Sequence, residues 1–356
     1  MVSGIYSILG SEGRPREGER MRREPDSNNL LEIVDLVVHF NTDYGVVQAL
    51  DKCCLGIRRG EILGVIGESG CGKSTMAKAI LGVLPIPPGK ILQGAILFEG
   101  RNLLQMESRE LNSSIRGRAI TLVPQDPYSS FNPLFTIGTQ IKDILKWKSQ
   151  TRHRVAPSKI RKSNIDRVIG LLQELQIPSP RGQLFKYPYQ LSGGQRQRIM
   201  IAMALLTDPS LIIADEPTTA LDVTIEAQIL RLFQKLVHHY KVSVLFITHD
   251  LAVASQICDR IAVMYAGQEV EIAPVSSFFE KPSHPYTRRL LESLPNPQGE
   301  IRDIPGEVPS LIGPLPGCRF EARCDFASDK CREDRPPLKE IAPGHLIRCY
   351  SPQALG

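Results

Sequence analysis

The sequence predicts an α/β fold organised around a parallel sheet. Short, continuous apolar runs alternate with segments of helical pattern, which is the arrangement that packs helices against parallel strands. One run is followed by a glycine-rich segment, and another is followed by two carboxylates. The runs lie at residues 62–66, 119–123, 211–214, 242–247 and 261–264.

The glycine-rich segment after the first run matches the phosphate-loop pattern G-x-x-x-x-G-K-[ST]. It reads Gly67-Glu68-Ser69-Gly70-Cys71-Gly72-Lys73-Ser74-Thr75. Its glycines let the backbone wrap closely round phosphates, so that successive N–H groups point inward beside the positive end of the following helix. Lys73 would then reach the β- and γ-phosphate oxygens, and Ser74 would offer its hydroxyl to Mg²⁺. The loop therefore predicts a binding site for ATP with Mg²⁺.

Two carboxylates follow the run at 211–214, which has the pattern of a strand buried on both faces. Asp215 is placed to hold Mg²⁺, directly or through water, because a hard cation with phosphate ligands needs an anionic oxygen opposite them. Glu216 would polarise the attacking water. Since Glu216 precedes Pro217, an acidic residue at a helix start is the alternative interpretation.

A third segment, Leu191-Ser192-Gly193-Gly194-Gln195, precedes an apolar stretch at 199–206 that predicts a buried helix. The start of such a helix can bind an anion. With the three segments in this order, residues 31–275 resemble the nucleotide-binding subunit of ABC transporters. The resemblance implies that residues 191–195 are the family's signature segment, in which Ser192 and Gly194 close over ATP held by an opposing ATPase subunit, so that hydrolysis requires a dimer.

Further residues fit the same family by order and spacing. The resemblance implies that Gln125 is the Q-loop glutamine, which links metal and water to the membrane subunits. It also implies that His249 is the switch histidine, which stabilises the transferring phosphoryl group, and that Tyr44 stacks on adenine through its π-face. Taken singly, each residue has an ordinary structural alternative, and only the ordered set favours function. The D-loop corresponds to Ala220-Leu221-Asp222.

The resemblance places a helical subdomain at about residues 126–200. Helical patterns at 139–147 and 162–175 flank a basic, proline-containing linker at 148–159. The Q-loop joins this subdomain to the sheet, so the subdomain can move when the γ-phosphate is sensed. The sequence has one ATPase cassette and no internal repeat, which argues against a translation-associated ATPase. The spacing of its motifs leaves no room for the coiled coil or zinc modules of a DNA-repair ATPase.

Three segments resemble the ATPase subunits of dipeptide and oligopeptide importers, some of which act on nickel. This branch implies import of di- or oligopeptides at the cytoplasmic face of the cell membrane, with nickel or another solute as the alternative. The implied partners are a second ABC ATPase subunit, two transmembrane permease subunits and, indirectly, an extracytoplasmic solute-binding protein. The segments are Gln125-Asp126-Pro127-Tyr128-Ser129-Ser130-Phe131-Asn132-Pro133, His284-Pro285-Tyr286-Thr287 and Ile304-Pro305-Gly306-Glu307-Val308-Pro309.

Length and composition predict more than one unit. The chain has 356 residues, whereas a domain commonly has about 50–250. Residues 1–30 are charged and poor in apolar side chains, which predicts a disordered leader, and residues 276–356 are expected to form a small Cys-rich C-terminal module. The net charge of +5 is weak, and no basic block is interleaved with aromatics, so nucleic acid is disfavoured. No apolar run reaches the length of a membrane span.

Four of the eight cysteines fall in the C-terminal segment, at Cys318, Cys324, Cys331 and Cys349. An intracellular ATPase cannot rely on disulfides, and this segment is expected to have little core of its own, separate from residues 31–275. A metal would then supply its folding energy. The spacings favour an iron–sulfur cluster over zinc. The resemblance implies the same choice, because some dipeptide-type ATPases carry a 4Fe–4S cluster here; zinc and unligated thiols remain alternatives.

The side chains near these cysteines and the remaining thiols have simpler interpretations. Arg319, Arg323 and Arg332 either offset thiolate charge or are solvated. The other cysteines are interpreted as small apolar fillers, at Cys53, Cys54, Cys71 and Cys258.

Overall fold

The computed structural model describes residues 28–149, 157–218, 223–294, 303–313 and 315–352, which form two β-sheets and the helices around them. The strands are β1 (Asn29–Thr42), β2 (Gly45–Arg58), β3 (Ile62–Ile66), β4 (Gly89–Phe98), β5 (Arg101–Asn102), β6 (Ile120–Val123), β7 (Leu211–Asp215), β8 (Ser243–Ile247), β9 (Arg260–Tyr265), β10 (Gln268–Pro274), β11 (Lys339–Ala342) and β12 (His345–Ile347). The α-helices are α1 (Lys73–Leu81), α2 (Ser108–Glu110), α3 (Pro127–Ser130), α4 (Ile137–Ser149), α5 (Pro157–Glu174), α6 (Pro180–Gln183), α7 (Gly193–Leu205), α8 (Val223–Tyr240), α9 (Leu251–Ile257), α10 (Val275–Glu280), α11 (Pro285–Glu292) and α12 (Asp329–Glu333).

Five parallel strands form one side of the larger sheet, in the order β9-β3-β8-β7-β6, with β6 at the edge. Each contains most or all of one predicted apolar run, so the prediction of a parallel α/β sheet is confirmed. β3 and β8 are buried along their whole length. Continuous burial requires cover on both faces, and two apolar clusters provide it. One contains side chains of α4, α5, α7 and α8, and the other contains those of α1 and the smaller sheet.

The smaller sheet is antiparallel, in the order β2-β1-β4-β5. Its first strand begins inside the segment predicted as a disordered leader. Asn29 pairs with Arg58, and the side chain of Leu30 is buried. The predicted boundary at residue 30 is therefore wrong for these two residues, because β1 needs their backbone and apolar surface. The rest of that prediction, residues 1–27, lies outside the described residues.

The chain is largely helical between β6 and β7. The two predicted helical patterns lie within α4 and α5, and the apolar stretch after the third motif lies in α7. α4 and α5 contribute buried residues to the same apolar cluster as α7, so the region packs on the sheet as one layer. Most of the predicted linker, residues 150–156, lies outside the described part of the chain. Every helix within the described part is too short or too polar to cross a membrane.

The C-terminal segment extends the larger sheet. β12 pairs antiparallel with β10, and β11 pairs with β12. The buried ring of Phe320 lies with its centroid 5.2 Å from that of Tyr265 and 5.4 Å from that of Tyr286. The expectation that this segment has little core and stays separate from residues 31–275 is therefore wrong, because Phe320 belongs to the same apolar cluster as the parallel strands.

We expect Phe320→Ala to destabilise the whole chain, because the ring is shared between the C-terminal segment and the sheet. The free energy of unfolding should fall by about 3–5 kcal/mol, as for other buried Phe→Ala changes, in denaturant titrations. Phe326 lies in the same segment with 39% of its surface exposed, so Phe326→Ala is the matched control and should cost less than half as much. Equal losses in the two variants would contradict the shared core.

Candidate nucleotide-binding site

Close approach of neighbouring backbone explains two glycines of the phosphate loop. Gly67 has a φ of 154°, and a Cβ there would lie 2.1 Å from the carbonyl oxygen of Met264. Gly72 caps α1 with a φ of 107°, and a Cβ there would lie 2.8 Å from the carbonyl oxygen of Ala49. Side chains at either position would push the loop away from the sheet. The loop therefore keeps its backbone N–H groups near the start of α1, where the helix dipole favours an anion.

Lys73 and Ser74 lie on the first turn of α1. The buried Nζ of Lys73 donates to the carbonyl oxygens of Gly67 at 2.7 Å and Glu68 at 3.1 Å, so the ammonium group lies inside the loop. Ser74 is exposed and forms a side-chain hydrogen bond with Asp215. Thr75 follows on the same turn, while Ser69 and Gly70 lie exposed on the loop. The loop thus offers one ammonium and one hydroxyl to a bound phosphate and its metal.

Asp215 ends β7 and is partly buried. Burial, followed by the charge of Glu216, raises the pKa of Asp215, and the hydrogen bond with Ser74 opposes that rise. A divalent cation between the serine hydroxyl and this carboxylate would favour the ionised form. The two oxygens are hard donors of the kind that Mg²⁺ prefers, so their chemistry fits that metal.

Glu216 is the meeting point of three segments. Its Oε2 accepts a hydrogen bond from Nε2 of Gln125 at 2.9 Å and lies 3.2 Å from Nδ1 of His249. The backbone of Glu216 has a φ of 45°, in the left-handed region, and its N–H donates to the carbonyl oxygen of Ile247. The helix-start alternative does not fit, because no helix begins at Glu216 in the described residues. The carboxylate instead joins the predicted Q-loop glutamine and switch histidine.

Ser192 and Gly194 lie at the start of α7, away from the loop. The Ser192 hydroxyl accepts from the N–H of Gln195, whose side chain accepts from the N–H of Ser192, which is a capping box. A Cβ on Gly194 would lie 2.8 Å from Cγ2 of Ile225. Within the described ranges, no hydrogen bond joins this segment to residues 67–75. The predicted D-loop, residues 220–222, lies outside the described residues.

Tyr44 lies at the turn between β1 and β2, with 88% of its surface exposed. The C-terminal segment runs beside this turn, where the N–H of Gln48 donates to the carbonyl oxygen of Leu311 at 2.8 Å. A Cβ on Gly45 would lie 2.8 Å from Cγ2 of Ile312. The exposed ring is free to stack on a planar base. Leu311 and Ile312 hold the neighbouring backbone, and nothing in the sequence indicated that contact.

The four C-terminal cysteines line one small cavity, together with His284 and Phe320. Burial raises the pKa of Cys318 to about 12, and it also raises the pKa values of Cys324 and Cys349. The thiols do not converge on one ion-sized point: among the described residues, no group of three or more His, Cys, Asp or Glu side chains could hold a metal ion. The sequence thus brings the four thiols together without defining a single-ion site.

The arginines beside these cysteines are paired with carboxylates. Arg319 is buried and pairs with Asp51 at 2.7 Å. Arg323 is buried and pairs with Glu68 of the phosphate loop at 3.1 Å. Their charges are thus balanced by carboxylates, and neither of the two predicted roles, offsetting thiolate charge or being solvated, applies to them. Arg332, in contrast, is exposed and pairs with Glu321. The sequence shows only that these arginines stand next to cysteines, and this does not indicate their carboxylate partners, which lie far away in the chain.

Comparisons with known proteins show which family the chain belongs to. A family model described as ABC transporter matches residues 50–219, and one described as Oligopeptide/dipeptide transporter, C-terminal region, matches residues 270–331. A solved dimeric ATP-binding cassette, in a post-hydrolysis state bound to ADP and Pi, is 28% identical with a TM-score of 0.58; the match covers 69% of this chain and 98% of that one. The fold and the phosphate site therefore define an ABC-type ATPase.

Three relatives are named as ATP-binding proteins of peptide transporters. A probable peptide ABC transporter ATP-binding protein of Sinorhizobium fredii is 45% identical, over 93% of this chain and 97% of its own length. The oligopeptide transport ATP-binding protein OppD of Bacillus subtilis is 42% identical, over 90% and 88%. The dipeptide transport ATP-binding protein DppD of Escherichia coli is 39% identical, over 91% and 97%. The chain belongs to the ABC transporter ATPases that carry the oligopeptide/dipeptide transporter C-terminal region.

Proposed function

We propose that this chain hydrolyses ATP to energise the import of di- or oligopeptides through a membrane ABC transporter, at the cytoplasmic face of the membrane. The observation that carries the proposal is the convergence on Glu216 of the predicted Q-loop glutamine and switch histidine, beside the phosphate loop. The names of the relatives support peptides as the cargo.

In this proposal, each side chain of the site has a role in phosphoryl transfer. Lys73, held inside the loop, neutralises charge on the γ-phosphate as it leaves. Ser74 and Asp215 hold Mg²⁺, which supplies further neutralisation of the phosphate oxygens. Glu216 orients and polarises the attacking water, and His249 stabilises the transferring group. Such positioning and charge stabilisation are most of what this reaction requires.

A second ATPase subunit completes the site. Ser192 and Gly194 lie at the positive end of α7 and are not hydrogen-bonded to this chain's own phosphate loop. We infer that they face the γ-phosphate of ATP bound to the partner, whose own signature segment faces residues 67–75 of this chain. The dimeric assembly of the solved cassette supports this arrangement.

The permease partners need an apolar surface near the Q-loop. Such a surface lies on the helical region, where Arg196 stacks on the ring of Tyr128, with its Cζ 3.4 Å from the ring centroid. Backbone hydrogen bonds join residues 137–138 to residues 184–186, so the loops that carry the exposed side chains lie side by side. The exposed members are Tyr128, Leu134, Phe135, Phe185 and Tyr189. One of the two permeases would dock here, with a solute-binding protein acting on the far side of the permease pair.

We also propose that Cys318, Cys324, Cys331 and Cys349 hold a 4Fe–4S cluster. Their thiols line one cavity, and thiolates are the ligands of such clusters. A zinc ion would hold each sulfur at about 2.3 Å from one point. A cluster contributes its own inorganic sulfur and so spreads its ligands more widely. When bound, it would tie the C-terminal segment together.

We expect Glu216→Gln to keep ATP binding and stop turnover, because the amide preserves shape but no longer polarises water. ATP should then trap a dimer on a sizing column, and uptake of a labelled dipeptide by the reconstituted transporter should stop. Glu280→Gln, on α10, is the control and should hydrolyse ATP normally. Turnover of Glu216→Gln within about threefold of the parent, or about 0.7 kcal/mol in barrier, would mean that another group is the base.

We expect Ser192→Arg to leave this chain's own ATP affinity unchanged while preventing the ATP-dependent dimer, because the signature segment acts across the interface. Calorimetry measures the first quantity, and sizing in the Glu216→Gln background measures the second. Ser113→Arg, at an exposed position of the π-helical segment 111–115, serves as the control. A loss of ATP affinity in the isolated Ser192→Arg chain would contradict the assignment.

We expect anaerobically purified protein to be brown and Cys349→Ser to bleach it and open the C-terminal segment to protease, because one cluster ligand is lost. Cys258→Ser is the matched control, since that thiol lies at the end of α9, outside the cavity. Elemental analysis decides the metal. Stoichiometric zinc without iron would replace the cluster by a zinc site, and the absence of both metals would refute the proposal.

A further inference from the structure

Arg323 is held in one position by several acceptors. Its Nε donates to the carbonyl oxygen of Pro305 at 2.9 Å, and its Nη2 donates to that of Ile304 at 3.1 Å. Its Nη1 donates to both carboxylate oxygens of Glu68, at 3.2 and 3.1 Å. Nη1 also donates to the hydroxyl of Tyr265 at 3.3 Å, so the guanidinium is fixed by the C-terminal segment on one side and by the phosphate loop and β9 on the other.

Glu68 connects this guanidinium to Lys73. The backbone N–H of Glu68 donates to the hydroxyl of Tyr286 at 3.2 Å, and its carbonyl oxygen accepts from Nζ of Lys73 at 3.1 Å. The side chain, N–H and carbonyl of one loop residue are therefore each bound to a different partner. Two of those partners, Arg323 and Tyr286, come from the segment beyond residue 275.

The surroundings of the pair make it strong and specific. The side chains of Arg323 and Glu68 are 5% and 25% exposed, so solvent screens the interaction little. Gly306 has a φ of 79°, and a Cβ there would lie 3.1 Å from Cγ of Arg323. The backbone at this glycine thus leaves room for the arginine stem. Two segments that resemble those of peptide importers are therefore connected to Glu68: residues 284–287 directly through Tyr286, and residues 304–309 through Arg323.

We propose that Arg323 is a positioning residue for ATP binding, acting through Glu68 to hold the phosphate loop in its binding conformation. It does not touch the reacting atoms. The inference rests on the ATP site of the proposed function and adds to it: the C-terminal segment supplies part of the affinity for ATP. A loop held in advance does not lose conformational freedom when the phosphates bind.

The experiment measures ATP affinity and turnover separately in the full-length chain. Arg323→Ala should raise the Kd for ATP with Mg²⁺ about tenfold, equal to about 1.4 kcal/mol, and should raise KM in parallel while kcat changes less than about twofold. Arg323→Lys should recover part of the affinity, since lysine keeps the charge but lacks the planar fork. The double variant Arg323→Ala/Glu68→Ala should bind no worse than the weaker single variant.

Arg348 provides the matched control. It is also a buried arginine next to a C-terminal cysteine, and its side chain pairs with Glu269 on β10, away from the phosphate loop. Arg348→Ala should lower the melting temperature as much as Arg323→Ala and leave the Kd for ATP unchanged. Equal losses of affinity in the two variants would reduce Arg323 to a structural role.

Two outcomes separate this inference from the proposed function. If the parent binds ATP and Arg323→Ala binds within about twofold of it, the inference fails and the ATP site stands. If the parent does not bind ATP, or Lys73→Ala binds it equally well, the proposed function itself fails. Additive losses in the double variant would also overturn the coupling through Glu68.

Discussion

The register of the parallel strands fixes the relative positions of the phosphate loop and of the acidic and histidine side chains of the nucleotide site. The N–H of Thr248 donates to the carbonyl oxygen of Val65, and the N–H of Glu216 donates to that of Ile247. These bonds join the ends of β3, β8 and β7 directly after their last ladder positions. The phosphate loop, the two acidic residues and the histidine leave the sheet at the same edge. A shift of one residue in either pairing would turn alternate side chains to the other face.

A second set of constraints comes from the C-terminal segment, which is part of the same body as the nucleotide site. Three of its four cysteines have a neighbouring arginine that is buried and paired with a carboxylate outside the segment. Removing one partner from such a pair leaves a buried charge without compensation, which is strongly destabilising. The pairs are Arg319 with Asp51, Arg323 with Glu68 and Arg348 with Glu269.

The sequence was informative wherever structure depends on local pattern. Continuous apolar runs located the parallel strands because burial on both faces removes the usual alternation, and Gly67 and Gly72 of the loop marked positions where a Cβ cannot fit. Contacts between distant parts of the chain left no such pattern. Arg323 and Glu68 lie 255 residues apart, and an arginine next to a cysteine has many possible partners. The return of β12 to β10 was missed for the same reason, since three residues give too short a pattern.

The backbone conformation of Glu216 also has a cost in stability. Its left-handed backbone costs a residue with a Cβ roughly 1–2 kcal/mol, whereas glycine adopts that conformation freely. The fold would therefore be more stable with glycine at this position, and the role proposed for the carboxylate opposes that change. A lineage that stopped using this site would be free to drift toward glycine there. The residue that corresponds to Glu216 in a related sequence thus indicates whether that protein still hydrolyses nucleotide.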